Sequence, residues 1–123
     1  MKKLTVVLSS LLLMSTHHVF AKDHSEIALE HAKNAAASTT PAEVVQHAGA
    51  ALEHTLSAAV SAKGVAKNHL NAGADELEKA IDQGNLKQLS PAVSHSNAAV
   101  EHLSAANDSA GANTKNSRKN VLE

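Results

Sequence analysis

The sequence predicts an all-α protein, an antiparallel up-down-up-down four-helix bundle. Three observations point there. An apolar-Glu-His triplet recurs as Leu29-Glu30-His31, Leu52-Glu53-His54 and Val100-Glu101-His102, with a degenerate copy, Leu77-Glu78-Lys79, between the last two. The triplets are spaced by 23, 25 and 23 residues, a period that fits one helix and its turn. Turn signals fall between the copies, and apolar residues recur at helical spacing within them.

The first helix is expected over residues 23–38, with Asp23 and Glu26 as a capping pair. Thr39-Thr40-Pro41-Ala42-Glu43 is the clearest boundary in the chain. Thr40 can cap, Pro41 suits the first helical position, and Glu43 completes a capping box. The second helix then covers 41–62, with Val45, Leu52, Leu56 and Ala59 as its apolar stripe, and Gly64 ends it. The third is expected over 65–83, burying Leu70, Ala74, Leu77 and Ile81. Gly73 lies inside it, and Gly84 reads as its C-terminal cap. The fourth covers 86–106, with Val93, Val100 and Leu103 inward. Pro91 falls early in that helix and either starts it or kinks it.

The flanks differ from this domain of residues 22–106. Lys2 and Lys3 precede an apolar run, and Val19-Phe20-Ala21 offers a small residue at the last position, so residues 1–21 read as a secretory signal peptide. The expected location is the bacterial periplasm, with no membrane span after processing. From Asn107 to Glu123 polar residues dominate and no stripe persists, so 107–123 is expected to be a disordered tail.

Composition removes several function classes. Residues 22–123 carry 9 basic and 12 acidic side chains, which argues against a nucleic-acid partner. Cysteine is absent, and both methionines and the single phenylalanine lie within residues 1–21. No thiolate or thioether ligand is therefore available to the predicted domain. No enzyme is expected: there is no nucleophile with a positioned base, no Gly-rich phosphate loop and no HExxH. The remaining chemistry is that of seven histidines and the carboxylates.

The chain resembles the small periplasmic metal-binding proteins, His-rich four-helix bundles of similar size. The segments that carry the likeness are Val44-Val45-Gln46-His47-Ala48, Asn68-His69-Leu70, Leu77 through Gly84, and Val100-Glu101-His102-Leu103. The resemblance implies binding of several divalent metals, copper, nickel and zinc among them, in a buffering or scavenging role. The chain departs from the family in the third helix, where His69 is the one histidine, beside Glu76, Lys79 and Gln83.

Spacing gives an independent test. His24/His31, His47/His54 and His95/His102 are pairs at i, i+7, on one face but about 10.5 Å apart along the axis. Metal–nitrogen bonds are about 2 Å, so no such pair chelates alone and neighbouring helices must contribute. Glu43 and His47 stand at i, i+4. In an antiparallel hairpin, residues whose numbers add to the same total lie at one height. That condition matches His24 with His54 and His31 with His47, then His69 with His102 and Glu76 with His95. The candidate metal ligands are therefore His24, His31, His47, His54, His69, His95 and His102, with Glu43 and Glu76. Imidazole and carboxylate without sulfur suit Cu(II), Ni(II) and Zn(II). Cleavage after Ala21 would also leave Lys22-Asp23-His24 as a new N-terminus, whose amine, two amide nitrogens and His24 ring can surround Cu(II) or Ni(II) in a plane.

Against these readings, Leu52 taken as the centre of the buried face puts His47 and His54 near the opposite side, where rings would be solvated and would not meet. The function alternative is then a helical interaction protein or an acid-responsive helper, since histidine titrates near 6.5.

Overall fold

The computed structural model describes residues 17–121. Those residues form four helices and no strand: α1 (His17–Ala36), α2 (Pro41–Ser61), α3 (Gly64–Asn85) and α4 (Leu89–Val121). Each helix packs against the next in the chain, and α1 closes the arrangement against α4. None of these helices is long and apolar enough to cross a membrane. Residues 1–16 of the expected signal peptide lie outside the described residues; the expected cut after Ala21 falls within α1.

The core is built mainly from alanine. In α2 the buried residues are Val44, Ala48, Ala51, Thr55 and Ala58, with Ala59 beside them. In α3 they are Ala66, Leu70, Gly73, Leu77, Ala80 and Gly84, with Ala74 beside them. Ser25, Ala28, Ala32 and Ala35 line α1, and Ala92, Ser96, Ala99, Leu103 and Ala106 line α4. In every helix these fall at alternating intervals of three and four, the a and d positions of a heptad. The buried face of α2 thus differs from the expected one. Leu56 is 51% exposed, and Leu52 is only partly buried against the core. Leu29, Leu52, Ile81, Val93 and Val100 occupy e positions, on one flank of the stripe. Small side chains hold the centre, and side-chain size at the contact sets how closely helix axes approach.

The α1–α2 turn is as expected. Thr40 caps α2, its hydroxyl accepting the Glu43 N–H at 3.3 Å, and the Glu43 carboxylate answers to the Thr40 N–H at 3.1 Å. The α3–α4 turn is not. Gly84 is not the cap: α3 continues to Asn85, and the left-handed residue is Lys87, with φ 59°. Gln88 N–H donates to Gln83 O and Lys87 N–H to Gly84 O, both at 2.9 Å, the two bonds of a Schellman motif. Gly84 serves close packing instead, since a Cβ there would stand 2.6 Å from Val45 Cγ2 and 3.1 Å from the Pro41 carbonyl oxygen. Gly73 likewise makes room for Leu103, whose Cδ2 would lie 3.0 Å from an added Cβ.

Both ends of the domain extend beyond the expected limits. α1 begins at His17, so Asp23 is inside a helix rather than capping one, and Lys22-Asp23-His24 is helical in the uncut chain. α4 begins at Leu89, which puts Pro91 in the first turn, where a missing N–H costs no helical bond. The expected tail from Asn107 is helical through Val121. The Ser25 hydroxyl donates to the Asn107 side-chain oxygen, tying the two helices together where the stripe ends. Beyond it no proline interrupts the helix, and Gly111 is its one glycine.

Two stability outcomes follow. Gly84→Ala should destabilise by about 1–3 kcal/mol through overpacking against the stiff Val45 side chain. Lys87→Gly should stabilise by about 0.5–1 kcal/mol by relieving the left-handed residue. Urea unfolding of both variants checks the opposite signs.

Candidate functional site

The heptad positions explain where the histidines lie. His24, His31, His47, His54, His69, Glu76, His95 and His102 each immediately precede an a residue, so all occupy g positions. At 100° per residue they stand roughly 70° from the centre of the buried stripe rather than opposite it. All eight are half-buried. Positions flanking the core face the neighbouring helix, and that is where the rings meet.

Between α1 and α2, His24 Nδ1 lies 2.8 Å from His54 Nδ1, with ring centroids 5.1 Å apart. His31 stacks on His47 and on His54, with centroids 6.0 Å apart in both cases. The four imidazoles form one continuous chain of ring contacts, His24–His54–His31–His47. The Nδ1 of His31 is buried and has no hydrogen-bond partner, an arrangement that costs free energy unless a proton or ligand satisfies it.

Between α3 and α4, His69 Nδ1 lies 3.5 Å from His102 Nδ1. One level along, His95 Nδ1–H donates to Glu76 Oε2 at 2.7 Å, and Lys79 Nζ donates to Glu76 Oε1 at 2.6 Å. Lys79, then His95, holds the Glu76 carboxyl below the usual carboxylate range, against a small opposing effect of burial. The four residue pairs matched by height in the sequence therefore all meet. No larger group does: among the described residues no three His, Asp or Glu side chains converge as ligands for one ion.

Glu43 is engaged elsewhere. Its Oε2 accepts the Thr39 and Thr40 N–H groups, which lowers its pKa, although it shares a cleft with His47, Asn34 and Ser38. The third helix also corrects the repeat. The residue that stands where His31, His54 and His102 stand is Glu76, so the structural copy is Ala74-Asp75-Glu76 rather than Leu77-Glu78-Lys79. Lys79 was not foreseen as a partner of Glu76. Its signal was the i, i+3 spacing of opposite charges on a helix.

The donor set fits a metal ion. Two nitrogens bound side by side at about 2.0–2.1 Å are separated by about 2.9 Å at a right angle and about 3.3 Å at a tetrahedral one. The His24/His54 and His69/His102 separations, 2.8 and 3.5 Å, bracket that range. A model of the small metal-binding protein family matches residues 1–106. The chain belongs to this family. No curated protein matches the sequence. The family is one of metal-binding proteins and not a known enzyme family.

The Glu76 interactions give a pH-dependent outcome. A lowered carboxylate pKa contributes stability above the unfolded value, and that stability is lost as pH falls through the folded value. Glu76→Gln should therefore cost under about 1 kcal/mol at pH 7, because the ion pair is solvent-screened, and less at pH 3. Urea midpoints at the two pH values check this.

Proposed function

We propose that the protein is a non-enzymatic periplasmic buffer or carrier of divalent transition metals, with copper, nickel and zinc held by histidine pairs across adjacent helices. The observation that carries the reading is the His24/His54 pair, two ring nitrogens 2.8 Å apart on different helices. Family membership, the buried unpartnered Nδ1 of His31 and the lack of sulfur ligands after residue 21 support it. The helices run alternately up and down. Support comes from the order of the contacts: as residue number rises along α1 from His24 to His31, the partner number falls along α2 from His54 to His47. The same reversal relates α3 to α4. The basic and apolar start of the chain supports export, with residues 1–21 removed as a signal peptide.

With two protein ligands per ion, water or a second protein completes the coordination, which favours uptake and release over permanent retention. Copper should bind most tightly of the three by the Irving–Williams order. Protons compete for the same nitrogens, so uptake should fade below about pH 6.

Calorimetric Cu(II) titration of the exported protein tests the proposal. The variant His24→Ala/His54→Ala/His69→Ala/His102→Ala should lose the two tighter equivalents and keep its helical circular dichroism. An unchanged isotherm in that variant, or magnesium competing equally with copper, would overturn the His-pair reading.

A further inference from the structure

The four paired seats are not equivalent. Three of them, His24/His54, His31/His47 and His69/His102, place imidazole against imidazole. The fourth places His95 against a carboxylate, and that carboxylate is already shared. Glu76 accepts from His95 through Oε2 and from Lys79 through Oε1, at 2.7 and 2.6 Å. Both oxygens of the one acidic ligand are thus engaged.

The position of Lys79 is singular. One helical turn after each paired residue, at i+3, stand Ile27, Asn34, Ala50, Ser57, Ala72, Ala98 and Ala105; only Glu76 is followed by a cation. One turn before the paired residues no lysine or arginine occurs either. No imidazole–imidazole seat therefore has a basic residue one helical turn away on its own helices, and the single carboxylate seat has one. The degenerate triplet of the sequence repeat has the same explanation: its lysine is a partner of the ligand rather than a lost ligand.

We propose that Lys79 is an internal counter-cation of the Glu76/His95 seat. Resting on the metal-binding reading above, this makes Lys79 a residue that sets the order of loading. Its ammonium stands against Oε1 at 2.6 Å, while Oε2, which faces His95, is the oxygen that an ion bridging the pair would take. An ion entering this seat shares the carboxylate with Lys79 and faces its positive charge nearby. The seat then fills last, after the imidazole pairs, and at higher free metal. The Lys79 side chain is 54% exposed, so it has room to swing into solvent without disturbing the core.

The expected size follows from Coulomb's law. A unit charge roughly 6 Å from a divalent ion, in a solvent-like dielectric, changes affinity about tenfold at low ionic strength, and less as salt screens it. Lys79→Gln removes the charge while keeping helix propensity. Zn(II), which is diamagnetic, allows each ring to be followed by NMR. In the wild-type protein the His95 ring signals should shift at higher Zn(II) than those of His24 and His54. In Lys79→Gln the His95 midpoint should fall about tenfold at low salt, shrinking to about threefold near 0.15 M salt, while the His24 and His54 midpoints stay put. Lys79→Arg should retain the wild-type order. An unmoved His95 midpoint in Lys79→Gln, an equal shift at all seats, or a shift indifferent to salt would overturn the proposal. Were no ring to respond to Zn(II) in either protein, the metal-binding reading itself would fall, a result distinct from an unmoved His95 beside responsive His24 and His54.

Discussion

Everything in this protein depends on the size of the side chains at the centre of the bundle. Alanine fills most a and d positions, with serine and threonine in others. Such residues bury little apolar area each, so the core contributes modestly to stability. They also let neighbouring helices come close, and residues flanking the stripe then fall within bonding distance of the next helix. Larger core residues would separate the axes and pull the imidazole pairs apart. Where a larger residue is present, glycine compensates: Gly73 lies under Leu103, and Gly84 under Val45. The buried hydroxyls fit the same plan, because Thr55 and Ser96 satisfy themselves by donating to the carbonyls of Ala51 and Ala92 within their own helices.

Helix number and the α1–α2 turn were legible from local chemistry, whereas Gly64, expected to end α2, opens α3. The Thr40-Pro41-Ala42-Glu43 boundary encodes its own geometry, and the structure has every bond of the capping box. The pairings of His24, His31, His47 and His54 were legible too, because a hairpin reverses residue order whatever its side chains are. The direction of the rings was not. Leu52 and Leu56 are the most hydrophobic residues of α2, and they drew the centre of the helix away from its alanines. A stripe read from the largest residues turns the histidines outward; a stripe read from Ala48, Ala51 and Thr55 turns them toward the neighbouring helix. The α3 copy was misread for the same reason, since Leu77 is a true core residue while Leu29, Leu52 and Val100 flank the core. The end of α3 was hidden because a lysine takes the left-handed place that glycine usually fills. The tail composition favoured disorder, yet helix continues where Ser25 holds Asn107.

The chain of imidazole contacts on α1 and α2 has a thermodynamic consequence. His31 makes ring contacts with both His54 and His47, so the two levels on that face are joined. Sites in contact influence each other's affinity, whereas separated sites act additively. Among the described residues no ring contact joins the two levels between α3 and α4. On the proposed histidine-pair reading, one face of the bundle would respond to ligand as a linked pair and the other as two separate seats. Under that reading the loading of one seat on the linked face depends on the occupancy of its neighbour, with a coupling of either sign, and loading on the other face does not.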